Sequence, residues 1–181
     1  MTPPSLGDLA WLPAAGQPQL LSTTVRAAIQ TAAIPCFVAA IDPTLADTAE
    51  FCATYRVPMA ASANCVVVAG RRGEATKMAA CLVLATDRAD VNKVVRRHLD
   101  VRKISFAAMN DAVDQTGMEY GGITPIGLPA DWPVLVDDAV IDQEWVVIGS
   151  GIRGSKLLIA GSQVAQLPQA EVLTLRQPTQ G

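Results

Sequence analysis

The sequence predicts a single domain of mixed α and β structure. Three observations carry that expectation. A chain of 181 residues is long enough for one sizeable core. Half of its residues are hydrophobic and 17% are charged, a composition that folds. Aromatics make up 4%, so the core falls to Val, Ile, Leu and Ala. The β-branched residues favour strands and Ala favours helices.

The elements follow in order. Residues 1–21, rich in Pro, Gly and Gln and without a clean period, read as an N-terminal arm or loose lead-in, and residues 22–181 as the folded domain. From Ser22 onward, Val25, Ile29 and Ala32 recur at helical spacing, and Pro35 ends the run. Residues 36–41 read as a strand. A second helix is expected from Leu45 to Tyr55, with Ala49, Phe51, Cys52 and Tyr55 on its apolar side. Residues 64–69 form a strand, a charged glycine turn follows, and 77–85 is its hairpin partner. Val91, Val94, Val95, His98 and Leu99 then mark an amphipathic helix. Asp87 is the expected N-cap, Asp90 sits in the first turn, and His98 falls at the edge of the apolar stripe as a packed or half-buried side chain. Residues 102–105 suggest a short strand. Ser105 is expected to cap a short helix through Met109, Ala112 and Val113 that ends at Gly117. Beyond a loop lie strands at 133–137, 144–149 and 155–160, a short helix at 162–167 and a last strand at 170–175.

Several classes of function are disfavoured. No segment approaches the ~18 unbroken apolar residues of a membrane span. The N-terminus lacks a basic region followed by an apolar one, so no secretory signal is expected and the cytoplasm is the expected compartment. Cys36, Cys52, Cys65 and Cys81 lie 16, 13 and 16 residues apart, form no CxxC pair, and have only His98 for company. They read as small core residues; neither a metal nor a cofactor is expected. A thiol role for Cys65 lacks an adjacent cysteine or histidine. The hexapeptide GSGIRG at 149–154 matches a dinucleotide fingerprint in letters alone. A strand-like segment follows where a helix must open, so it reads as a glycine-rich hairpin turn. The apolar content leaves room for a homodimer interface.

Charge is unevenly spread. The chain carries −3 overall, but residues 71–103 carry +5 between segments of −2 and −6. Lys93, Arg96, Arg97, Arg102 and Lys103 are part of that basic third. They read either as a solvated helix face or as a local contact for a polyanion.

The stretch TGMEYGGITPIGLP, residues 116–129, holds four glycines and two prolines around a single charge, Glu119. Gly121 and Gly122 permit positive φ or close approach to the backbone, and Pro125 fixes φ and removes an N–H. The result is a stiff loop, either a tight turn or one whose remaining amides face a ligand. The spacing of Gly117, Gly121, Gly122, Ile123, Pro125 and Gly127 resembles the loop of the YbaK and prolyl-tRNA-synthetase-associated editing domains. The order of the pieces from about Ser22 to about Leu167 resembles that family too.

The resemblance implies a central mixed, partly barrel-like sheet flanked by helices. It also implies an aminoacyl-tRNA deacylase acting in trans on the ester between an amino acid and the 3′-terminal ribose of tRNA. In that reading Gly121, Gly122, Ile123, Pro125 and Gly127 hold the aminoacyl end, Asp137 lines the cavity, and the basic third contacts tRNA phosphates. Where well-characterised family members carry a lysine at the head of the central strand, this chain has Asn64. Asparagine supplies a neutral donor pair in place of a cation. Asn64 is therefore the candidate catalytic group. The rival reading is a binding module that recognises an aminoacyl-tRNA or an aminoacyl-like small molecule without turnover.

Overall fold

The computed structural model describes residues 3–178. They form a mixed α/β domain built on two sheets. The first sheet has the strand order β1-β2-β8-β7, where β1 is Leu12–Pro13, β2 Cys36–Ala40, β7 Val146–Gly149 and β8 Ser155–Ile159. The second has the order β5-β3-β4-β6-β9, where β3 is Ala63–Arg72, β4 Ala75–Leu84, β5 Lys103–Phe106, β6 Val134–Asp137 and β9 Ala170–Leu173. A single parallel bridge, Ser62 to Val147, links the sheets, and they do not close into a barrel.

The β3–β4 hairpin is the spine. It runs for ten residues on each side with Arg72 opposite Ala75, and Gly73 takes the positive φ of 65° that so tight a turn requires. β4 is buried on both faces. Ala80, Leu82 and Leu84 enter the core shared with the first sheet, while Ala79, Cys81 and Val83 pack on the outer side with Val91, Val95 and Leu99. That explains its unbroken apolar sequence, and parallel pairing with β6 matches it.

The first helix, α1, is Thr23–Ala32; the Ser22 hydroxyl caps it by accepting the Val25 N–H at 3.3 Å. α2, Thr48–Tyr55, lays Phe51 and Cys52 against the first sheet. α4, Met109–Thr116, ends at Gly117 with φ 66°, the left-handed cap expected there.

Three expectations change. The lead-in is docked, not loose: Leu12 pairs with Val38, and Trp11 and Ala14 are buried. Pairing against β2 and burial of the Trp11 ring outweigh its poor local propensity. The cap of the third helical segment is Asp90, which accepts the Lys93 N–H at 3.1 Å, and not Asp87. A wide turn over Val91–Val95 then leads into α3, Arg96–His98. Ser105 caps nothing. It lies inside β5, opposite Ala69 of β3, and α4 begins after Ala108. Two short helices complete the chain: α5, Asp138–Ile141, which the sequence did not signal, and α6, Gly161–Val164.

Candidate active site

A half-open cleft of about 500 Å³ lies where the two sheets meet. Its walls are the head of β3, the segment before α2, the start of α4, the glycine loop and the β7–β8 pair. Its polar lining comes from Asp47, Thr48, Ser62, Asn64 and Lys156. Its apolar lining includes Val67, Phe106, Met109, Ala112 and Ile123. Three rim side chains, Phe106, Met109 and Tyr120, are strongly exposed.

Asn64 is half-buried at the head of β3. Its Oδ1 accepts a 2.6 Å hydrogen bond from Thr48 Oγ1. That contact fixes the carboxamide and turns its amide nitrogen into the available donor. Cys65 also lines the cleft, but burial, and then the neighbouring Cys81, push its thiol far above the usual range. A thiol in that state is a poor nucleophile near neutral pH. All four cysteines are unbridged, and burial pushes Cys36 and Cys81 each up to about 12. Among the described residues, no group of three or more His, Cys, Asp or Glu side chains is placed to hold a metal ion.

The glycine loop contributes Gly121 and Ile123 to the lining. Gly122, Pro125 and Gly127 stand behind that surface and fix its position. A Cβ on Gly122 would come within 2.7 Å of the Ile152 backbone, and one on Gly127 within 2.7 Å of Thr24 O. The loop is tied to the β7–β8 turn: the Gly151 N–H donates to Gly122 O at 2.7 Å, and the Glu119 N–H to Gly151 O at 2.9 Å. So the GSGIRG run is a hairpin turn, as its sequence indicated, and also the brace of the cleft wall.

Arg153, in that turn, clasps three segments. Its Nε donates to Pro43 O at 3.1 Å, one terminal N–H donates to Tyr120 O at 3.3 Å, and Asp47 lies 3.7 Å away. Lys156 was also missed. Alternation along β8 places it on the face of Leu158, toward α2, where its Nζ donates to Ala46 O at 2.8 Å and sits 5.3 Å from the Phe51 ring centroid. The signal was a lone charge inside the apolar run 155–160.

Asp137 requires correction, because it does not line the cleft. It is fully buried at the end of β6 and receives four hydrogen bonds, from the N–H groups of Ala139, Leu175 and Arg176 and from the Arg176 guanidinium. Its charge is consumed in capping α5 and anchoring the chain after β9. Arg176 also pairs with Asp138, whose carboxyl is lowered by the Thr174 hydroxyl and then by Arg176.

Lys93, Arg96, Arg97 and Arg102 gather around one shallow surface hollow. Lys103 follows at the start of β5, whose far end is Phe106 on the cleft rim. Three residues of strand separate Lys103 from Phe106, a span of about 10 Å. His98 reaches the surface beside it and meets Glu171 at 2.6 Å.

The fold and the cleft thus define a mixed α/β domain with a half-open cleft of polar and apolar lining between its sheets. Residues 42–167 match the family model of the aminoacyl-tRNA editing domain, and the chain belongs to that family. Two solved structures share the fold. One, of a hypothetical protein, has a TM-score of 0.75 at 20% identity and covers 85% of this chain and 99% of its own. The other, a candidate trans-editing enzyme for prolyl-tRNA synthetase, has a TM-score of 0.74 at 19% identity and covers 87% and 99%. No helix among the described residues is long and apolar enough to cross a membrane.

Proposed function

We propose that the protein is a trans-acting aminoacyl-tRNA deacylase. The observation that carries this reading is the cleft: the glycine loop and Asn64 line one half-open space with both polar and apolar walls. The apolar lining, Val67, Ala112 and Ile123, suits a small aliphatic side chain. The polar lining suits the ester. Water adds to the carbonyl carbon, the ester C–O bond breaks, and the ribose 3′ oxygen leaves with a proton. An ester of this kind needs positioning and charge stabilisation more than a protein nucleophile. A second sieve of this size has value because one apolar pocket separates side chains differing by a methylene by only ~10–200-fold.

The exposed Phe106, Met109 and Tyr120 give unpaired terminal bases a surface on which to stack. Lys93, Arg96, Arg97, Arg102 and Lys103 take the phosphates of the acceptor end.

The test is a deacylation panel of tRNAs charged with matched and mismatched amino acids. We expect hydrolysis of one or a few, with kcat reduced about 100-fold in Asn64→Ala, the loss typical of one oxyanion donor. Binding without hydrolysis across the whole panel would identify a binding module instead. The basic face has its own test. In the double variant Arg96→Glu/Arg97→Glu, tRNA affinity drops and the log–log salt slope shrinks by about 2. An unchanged slope places the tRNA elsewhere.

A further inference from the structure

We propose that Lys156 is the cationic donor that receives the ester carbonyl oxygen of the bound aminoacyl group. The proposal rests on the deacylase reading and supplies the group that stabilises its developing negative charge.

The position is costly for an ammonium. Lys156 is 8% exposed, on a strand whose other residues are all buried and, Ser155 apart, apolar. The next side chain along the same face, Leu158, is the kind the core favours there. No carboxylate oxygen among the described residues lies within 4.0 Å of Nζ. The charged and titratable groups facing it come from three places. Cys52 projects from α2, and burial raises its thiol, so it is neutral near pH 7 and supplies no anion. Asp47, just before α2, is largely exposed and turned to Arg153. Arg153, from the β7–β8 turn, is a like charge. The ammonium therefore has one carbonyl acceptor, Ala46 O, and one aromatic face, Phe51. A lysine carries three N–H donors, so two remain.

Those donors are directed to the cleft by the local geometry. Lys156 lines it, as does Gly149, its antiparallel partner on β7, against which the glycine loop packs. Ala46, which holds Lys156, lies two residues from Thr48, which holds Asn64. The two donors thus flank one three-residue segment from opposite sheets, and both line the cleft; an oxygen bound between them would meet the two donors that an oxyanion site needs. As water adds to the carbonyl carbon, the π electrons move to the oxygen, which Lys156 and Asn64 hold. Their return expels the ribose 3′ oxygen, which takes up the proton that the water gives up.

The test compares wild type with Lys156→Met, which keeps an unbranched stem and removes the charge. We expect kcat to fall about 100- to 1,000-fold while the melting temperature at pH 7 stays level or rises. Burial, foremost, pulls the ammonium down to about 8, so the wild-type advantage in kcat should fade as pH rises through that value. The stability sign is opposite. The unfolded chain binds the extra proton between about 8 and 10.5, so wild type should gain stability relative to Lys156→Met over that window. A melting temperature that falls with kcat unchanged in the folded protein overturns the proposal and makes Lys156 a packing residue. Binding of a non-hydrolysable 3′-aminoacylamino-adenosine is the second readout. Binding at least tenfold weaker in Lys156→Met supports the proposal even if wild type hydrolyses no member of the panel, an outcome that removes the deacylase reading alone. Equal binding by both proteins, with equal or absent turnover, overturns it.

Discussion

Asp137→Ala should cost about 2–4 kcal/mol of folding stability, for one buried N–H left unpaired and one lost helix cap. The carboxylate is fully buried, and both its oxygens are used: Oδ1 accepts from Ala139 N at 3.0 Å and the Arg176 guanidinium at 2.6 Å, and Oδ2 from Leu175 N at 2.7 Å and Arg176 N at 2.8 Å. Alanine leaves the Leu175 N–H without an acceptor in a residue that is itself fully buried. It also uncaps α5 and frees Arg176. A domain of this size has about 5–15 kcal/mol in total, so the loss is a large share. Urea denaturation measures it as a lower midpoint at unchanged slope. Turnover per folded molecule should stay at the wild-type level, because Asp137 does not line the cleft. A selective loss of turnover with stability intact would return Asp137 to the site.

Gly149→Ala should damage site and scaffold together. A Cβ there would lie 2.5 Å from Gly122 O and 2.6 Å from Ile123 O, both backbone atoms that no side-chain rotation can move away. The glycine loop must shift outward. Overpacking of this kind costs about 1–3 kcal/mol. A loop displaced by about 1 Å misplaces the bound ester, and such shifts cost about 100-fold in rate. The expected result is a modestly lower denaturation midpoint with kcat/KM reduced about 100-fold. Full activity would show that the loop does not set the position of the substrate.

Much of the fold was legible because its signals are local. The β3–β4 hairpin announces itself through an apolar run bounded by glycine and charge, and Gly117 through its place after a helical period. The loop at 116–129 was legible for the same reason. What failed had distant partners. Asp87 and Asp90 are equally good caps in sequence, and the choice falls to Asp90, whose N–H donates to Leu175 O. Ser105 looks like a cap until β5 pairs with β3. Asp137 reads as a strand-end carboxylate beside the loop, but its chief partner, Arg176, stands 39 residues later. Lys156 and Arg153 enter the site only when α2 packs over the first sheet, and no periodicity reports that packing. Asn64 stands out in the sequence; Thr48, whose hydroxyl donates to its Oδ1, does not.

The Arg153 clasp has a kinetic consequence. It joins Pro43 to a residue 110 positions later, and Lys156 closes on Ala46 over the same separation. The long hairpin between them can form alone from neighbouring residues, and quickly. The cleft cannot, since closing so long a loop loses chain entropy before any contact repays it. On the ribosome, where synthesis runs from N to C, β7 and β8 emerge only after the hairpin. The spine thus forms before the pocket, and a nascent chain that has not yet reached Lys156 has the glycine loop but no finished site.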